Sequence, residues 1–296
     1  MKNINNVVVR WVIGAFFMLS AMQGYAQVNI LVATTMESRN DGILATNNLY
    51  AEFSSDASWT VTDARNTLGA LATVPTPDFS GYDVVVIGAT YYGLAPDEMA
   101  TLQAAIDSQA STSFVLFFDG CCGNGGVSTE NINNLVSVVN NTFDPSVIGG
   151  TGAFVNNGIE NFVLTASPLA ASFPGVIRGG AYSPFTGVPD GNVIYRSGDG
   201  NDVGFIIPIT ESVGACVFSM ADVSPFNAMA YPSNQGNIGA AFVDAATNPQ
   251  GSCFLRSTPL PRSVTALNWW SLLVSMMLVF AGVHRYYRNR SCNANS

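Results

Sequence analysis

Two short runs limit what this chain can fold into: Tyr82-Asp83-Val84-Val85-Val86-Ile87-Gly88 and Phe114-Val115-Leu116-Phe117-Phe118-Asp119. Both are apolar without alternation, so strands made from them must be covered on both faces, as inner strands of a parallel sheet are. Val28–Ala33 is a third run of the same kind, and Trp59–Thr62 reads as a further strand. Helical patterns lie between them. Gly42–Phe53 sets Ile43, Leu44, Leu49, Tyr50 and Phe53 at helical spacing. Pro96-Asp97-Glu98 opens a helix to about Ala110, with proline in its first turn and acids at its positive end. Ser128-Thr129-Glu130 opens another through Val139. This alternation predicts a three-layer α/β domain, flavodoxin-like, with a mostly parallel sheet between helices.

The second half is β-rich. Asn161–Leu164, Gly191–Arg196, Val203–Ile209 and Ala215–Ser219 are short strand patterns punctuated by Gly and Pro, and Gly236–Ala246 is a closing helix. One domain over residues 27–247 is expected, followed by a linker, 248–263, that holds Pro249, Pro259 and Pro261.

Both ends read as addresses. Lys2 and Arg10, the apolar run Trp11–Met22 and the small residues of Gly24-Tyr25-Ala26 predict a signal peptide over 1–26, cleaved before Gln27. Val264–Val283 carries no charge, has Trp269 and Trp270 at its entry interface, and is followed by Arg285, Tyr286, Tyr287, Arg288 and Arg290. That length and its basic flank predict a transmembrane helix within 264–290, a cytoplasmic tail at 291–296 and an exported body. The expected precursor is anchored in the inner membrane with a periplasmic body, which then passes to the cell surface or medium.

Charge narrows the partners. Between the two ends lie all twenty acids and only six arginines, a net of −14, and the one lysine is Lys2. No basic footprint meets nucleic-acid phosphates, so nucleic-acid binding is excluded.

The candidate site is the turn Asp119-Gly120-Cys121-Cys122-Gly123-Asn124-Gly125-Gly126. Ligands of open α/β sheets sit beyond the carboxyl ends of strands, and glycines there expose backbone amides. Tyr91, Tyr92 and Asp222 fall at the same edge, so Asp119, Cys121, Cys122, Gly123, Asn124, Tyr91, Tyr92 and Asp222 form the ligand-binding set. Tyrosine faces with Asp119 and Asn124 suit a glycan. Glu37, Asp119 and Asp222 all stand near predicted strand ends, which leaves room for a carboxylate-pair hydrolase. The single histidine, His284, lies beyond the membrane segment. A cysteine nucleophile in the body therefore has no imidazole base, and no catalytic residue is assigned. Cys121, Cys122, Cys216 and Cys253 are read as structural disulfides of an oxidising compartment, with three pairings open. Ser197-Gly198-Asp199-Gly200-Asn201-Asp202 echoes a calcium-binding repeat but occurs once and reads as a turn between strands. Neither a metal nor a cofactor is expected.

Three stretches carry a resemblance: the strand Phe114–Asp119 with its Gly-rich turn, the segment Thr165-Ala166-Ser167-Pro168-Leu169-Ala170-Ala171-Ser172-Phe173-Pro174, and Gly214–Phe226, which ends in Asp222-Val223-Ser224-Pro225-Phe226. The chain resembles the class I glutamine amidotransferase-like fold, in its divergent trehalose-utilisation-type, extracytoplasmic branch. Ser167 stands where that family places the histidine of its His-Pro-Leu segment. The tail, with Val264, Leu267, Trp270 and the arginines Arg285, Arg288 and Arg290, resembles the bacterial IPTL-CTERM sorting signal, although Thr265 and Ala266 replace that family's Pro and Thr. The resemblance implies signal peptidase and a membrane sorting protease as partners. The function expected is a non-catalytic module for binding or surface structure. The alternative is a histidine-independent hydrolase acting on glycans through Asp or Glu.

Overall fold

The computed structural model describes residues 27–89, 92–108, 111–119, 149–150, 155–208, 215–226 and 238–247. The expected signal peptide, the Ser128–Val139 helix, the linker, the sorting segment and the tail lie outside these residues.

Eleven strands join in one sheet: β1 (Val28–Thr35), β2 (Trp59–Leu68), β3 (Val84–Ala89), β4 (Ser113–Phe118), β5 (Gly149–Gly150), β6 (Val155–Leu164), β7 (Val176–Tyr182), β8 (Phe185–Thr186), β9 (Val193–Arg196), β10 (Asp202–Pro208) and β11 (Cys216–Met220). The described helices are α1 (Asn40–Phe53), α2 (Pro96–Asp107) and α3 (Ile238–Thr247). The strand order is β2-β1-β3-β4-β11-β10-β9-β6-β7, with β8 beside β10 and β5 beside β8.

From β2 to β11 every pairing is parallel. From β11 to β7 every pairing is antiparallel. The expectation of a mostly parallel sheet is therefore corrected to a mixed one. The physical reason is local: Ser197–Asn201 joins β9 to β10, and so short a connection can only reverse the chain, because a parallel crossover needs a dozen residues or more. β7 was not foreseen, because Gly179-Gly180 within it reads as a turn. Its glycine is needed there because the ring of Phe162 fills the space a Cβ on Gly179 would take.

The two helical layers can be placed from contacts. Ser113 Oγ donates to the Ala246 carbonyl of α3 at 3.2 Å, and a Cβ on Gly88 would lie 2.6 Å from Leu49 Cδ2 of α1. Since Gly88 pairs with Phe117, the face carrying Ser113, Val115 and Phe117 is the one that α1 and α3 cover. Phe117 meets Phe53, Phe226 and Phe242 edge-on, and Phe242 also meets Phe173 and Phe218. α2 belongs to the opposite face, as the right-handed rule for β3-α2-β4 requires. Its Glu98 carboxylate accepts the Gly69 N–H at 2.8 and 2.9 Å, and Gly69 lies against the side chain of Thr35 on that face. Among the described residues no helix is long and apolar enough to cross a membrane.

Candidate functional site at the carboxyl edge of the parallel strands

The order β2-β1-β3-β4-β11 reverses direction at β1, since β2 lies on one side of it and β3 on the other. In sheets of this order the crevice outside the carboxyl ends of β1 and β3 is the favoured ligand position. The residues that leave the strands there are Thr35 to Ser38 after β1, Gly69 after β2, Tyr92 and Gly93 after β3, Asp119 after β4, and Ala221 and Asp222 after β11. The parallel register thus gathers Glu37, Asp119 and Asp222 on one edge, as the sequence indicated.

Their surroundings differ. Glu37 is buried and accepts a hydrogen bond from Thr35 Oγ1 at 3.0 Å. Met36 N–H donates to the Leu68 carbonyl at 2.8 Å, which fixes the start of this turn against β2. Ser38 Oγ and the Tyr92 hydroxyl share a hydrogen bond of 3.1 Å, so the turns after β1 and β3 are bridged by two hydroxyls. Asp119 is buried, and its backbone N–H donates to the Ala89 carbonyl at 2.8 Å, extending the β3–β4 ladder by one step. β3 separates Glu37 from Asp119, which sets their parent strands about 9–10 Å apart. Tyr91, Cys121, Cys122, Gly123 and Asn124 of the expected ligand set lie outside the described residues.

Asp222 is placed differently from a surface ligand group. It is fully buried; Oδ2 accepts the Gly180 N–H at 2.7 Å and Oδ1 the Ser224 N–H at 2.6 Å. Burial pushes its carboxyl up to about 6; the hydrogen bonds from Gly180 and Ser224 oppose that rise and the charge of Glu160 adds to it. The Asp-x-Ser turn is thus an anchor between the loop after β11 and β7. Neighbouring Phe226 packs on Phe117, and its carbonyl accepts from Asn48 Nδ2 of α1 at 2.7 Å.

Ser167 caps a 3-10 turn, Pro168–Ser172. Its hydroxyl accepts the Leu169 N–H at 3.2 Å and donates to the Gly191 carbonyl at 2.5 Å. Cys216 is buried on β11 and disulfide-bonded. Cys121, Cys122 and Cys253 lie outside the described residues, as do Leu267, Trp270, Arg285, Arg288 and Arg290. Ser197–Asn201 closes the β9–β10 hairpin: Ser197 and Asn201 bond through their backbones at 2.9 Å, and Gly200 adopts φ +82°. Asp202 accepts from Arg196 Nε at 2.7 Å. Among the described residues no three His, Cys, Asp or Glu side chains gather as a metal site.

Reasoning from sequence missed Glu98 as the residue that shapes one wall of this edge. Its carboxylate binds the N–H groups of Gly69 and Ala95, tying the loop after β2 to the start of α2. Its position three residues into a helix opened by Ala95-Pro96 was the available signal.

No family model matches the chain, and no curated protein matches it. Among solved structures it is similar to a protein described as ThuA-like from Parabacteroides merdae ATCC 43184, with TM-score 0.41 and 10% identity over 67% of this chain and 84% of that one. A second ThuA-like protein, from Bacteroides uniformis ATCC 8492, is similar at TM-score 0.42 and 9% identity over 74% and 91%. An exo-beta-1,4-mannosidase, Op5Man5 from Opitutaceae bacterium strain TAV5, gives TM-score 0.41 and 14% identity over 75% of this chain and 36% of that one. At this level of likeness no activity passes from these proteins to this chain.

Proposed function

We propose that the body is a non-catalytic module of an exported bacterial protein, acting in binding or surface structure through the carboxyl edge of its parallel strands. The observation that carries this reading is Ser167. At the position where the resembled family places the histidine of its His-Pro-Leu segment, this chain has a hydroxyl already engaged as a cap and as a donor to Gly191. The single imidazole of the sequence is that of His284. Without a base or a nearby cation, a thiol on the Asp119–Gly126 turn is a poor nucleophile. The edge instead offers hydroxyls and carboxylates, Ser38, Tyr92, Glu37 and Asp119, which suit hydrogen bonding to a neutral polyhydroxylated ligand such as a surface glycan. Signal peptidase and a membrane sorting protease acting near Leu267 and Trp270 would deliver the body to the surface or the medium.

Two experiments test this. Intact mass and cell fractionation of the native protein, without reductant, should give a species starting at Gln27 and ending near residues 260–268, in the surface or medium fraction. A species that keeps the tail in the inner membrane removes the sorting step from the reading. Glycan-array binding by the same protein should then fall at least tenfold in Tyr92→Ala, and unchanged binding would move the ligand elsewhere.

A second reading rests on Glu37 and Asp119, two buried carboxylates that flank β3 at one edge. Strands about 9–10 Å apart leave room for the side-chain separation of an inverting glycoside hydrolase. Turnover of a glycan that disappears in both Glu37→Gln and Asp119→Asn would favour this reading over the first.

A further inference from the structure

The register of the sheet limits which cysteines can reach Cys216. This residue is disulfide-bonded and fully buried, so its sulfur is out of reach of a second folded copy and its partner belongs to this chain. Cys216 starts β11, which runs parallel to β4 with Val217 beside Phe114 and Met220 beside Phe117. That register sets Cys216 level with Ser113, at the amino end of both strands.

Cys121 and Cys122 leave β4 from its other end. Asp119 still extends the ladder, its N–H donating to the Ala89 carbonyl. At about 3.3 Å for each strand residue, roughly 20 Å lie between Cys216 and Asp119. Cys121 is two residues beyond Asp119 and Cys122 is three beyond it. Each residue adds at most about 3.6 Å of reach. Doubling straight back, the two would still stop roughly 13 and 9 Å from Cys216 by Cα, and a disulfide needs no more than about 7 Å.

Cys253 starts from the right end. Ser113 Oγ accepts the Cys216 N–H at 3.1 Å and donates to the Ala246 carbonyl at 3.2 Å. One hydroxyl thus joins the start of β11 to the last turn of α3. Cys253 follows Ala246 by seven residues, a reach of up to about 25 Å, well beyond what the gap requires. Cys292 is the remaining cysteine. Its exclusion rests on the proposed export, which puts residues 291–296 in the cytoplasm and the body outside it.

We propose that Cys216 is bonded to Cys253, a cross-link that pins the chain leaving α3 to the amino end of β11. It forms by thiol–disulfide exchange. The two thiols give up two protons and two electrons as the sulfur–sulfur bond closes, and a donor disulfide of the exporting compartment takes them up and becomes two thiols. Of the three pairings open from sequence one survives, and Cys121 and Cys122 have only each other as partners. The exit of the domain is held at the edge opposite Asp119 and Asp222, so it does not cross the candidate ligand edge.

The test is a disulfide map of the native protein, with free thiols alkylated before unfolding and the chain then cut after arginine. Fragment 197–256 holds Cys216 and Cys253, fragment 66–178 holds Cys121 and Cys122, and fragment 291–296 holds Cys292. Fragment 197–256 should appear alone, unalkylated, and lighter by two hydrogens than its reduced form. Further cleavage before aspartate should leave 202–221 joined to 244–256. A joint between 197–256 and 66–178 overturns the pairing and leaves export untouched. A joint to 291–296 overturns the pairing and the export topology together. Alkylation of Cys216 also overturns the pairing. In Cys253→Ser the thermal midpoint should fall by about 5–15 °C, and an unchanged midpoint overturns the pinning. In the double variant Cys121→Ser, Cys122→Ser the joint between 202–221 and 244–256 should persist, and its loss overturns the pairing.

Discussion

At Ser167 and Glu98, single side chains hold loops in place. Ser167 closes the first turn of Pro168–Ser172 and gives its proton to Gly191. Ser167→Ala removes both bonds, and its expected cost is about 1–2 kcal/mol, at the level of a lost cap. Chemical denaturation checks this; glycan binding by the variant should be unchanged. Glu98→Gln is more demanding. The carboxylate accepts from Gly69 and Ala95, and an amide offers one acceptor oxygen where the carboxylate offers two. Charge-assisted bonds of this kind are worth about 1.5–3 kcal/mol, so the midpoint of urea unfolding should fall accordingly.

Two helices on one face of the sheet depend on glycines in different ways. A Cβ on Gly88 would lie 2.6 Å from Leu49 Cδ2, the movable end of a side chain. Gly88→Ala should therefore cost about 1–2 kcal/mol. Combined with Leu49→Ala, it should cost less than the sum of the two changes. A Cβ on Gly239 would lie 2.6 and 2.7 Å from the Glu52 backbone carbonyl, where no rotamer gives relief. Gly239→Ala must push α3 off α1, and about 3 kcal/mol is expected, with no rescue from a side-chain deletion. Thermal unfolding of the three variants and the double mutant separates these cases. The same elements show what a sequence displays and what it hides. β1, β3 and β4 were legible because both of their faces are apolar; α1 was legible in extent, but Ile43 and Leu44 of its expected stripe are exposed, and Ala45, Thr46, Leu49 and Phe53 form the buried face. β2 runs on to Leu68, beyond the expected Thr62, because its polar residues are paired rather than buried in the core: Arg65 binds Asp63 and Asn47 and lies over the Tyr50 ring of α1. β7 was hidden because the pattern of Gly179-Gly180 is set by Phe162 and Asp222, partners remote in the chain.

Across the whole molecule, the sheet changes from parallel to antiparallel at β11, yet one aromatic cluster spans the change. Phe117 of β4 meets Phe242 at 5.5 Å, Phe242 meets Phe173 at 4.9 Å, and Phe173 meets Tyr195 of β9 at 6.4 Å. The carboxyl edge was legible from strand order alone, since parallel strands must end together. That Asp222 serves as an anchor was not, because its donors, Gly180 and Ser224, become neighbours only when β7 crosses the loop after β11. A cluster that joins both halves of a sheet should make them unfold together. Phe242→Ala empties the middle of that chain of rings and should cost about 3–5 kcal/mol. Hydrogen exchange followed through the denaturation transition, in peptides from β1–β2 and from β9–β10, should give coincident midpoints in the wild-type chain. In Phe242→Ala both midpoints should fall by the same amount if the rings couple the halves. A fall confined to one half would show that the two parts of the sheet are stabilised separately, and that α3 serves only the part it covers.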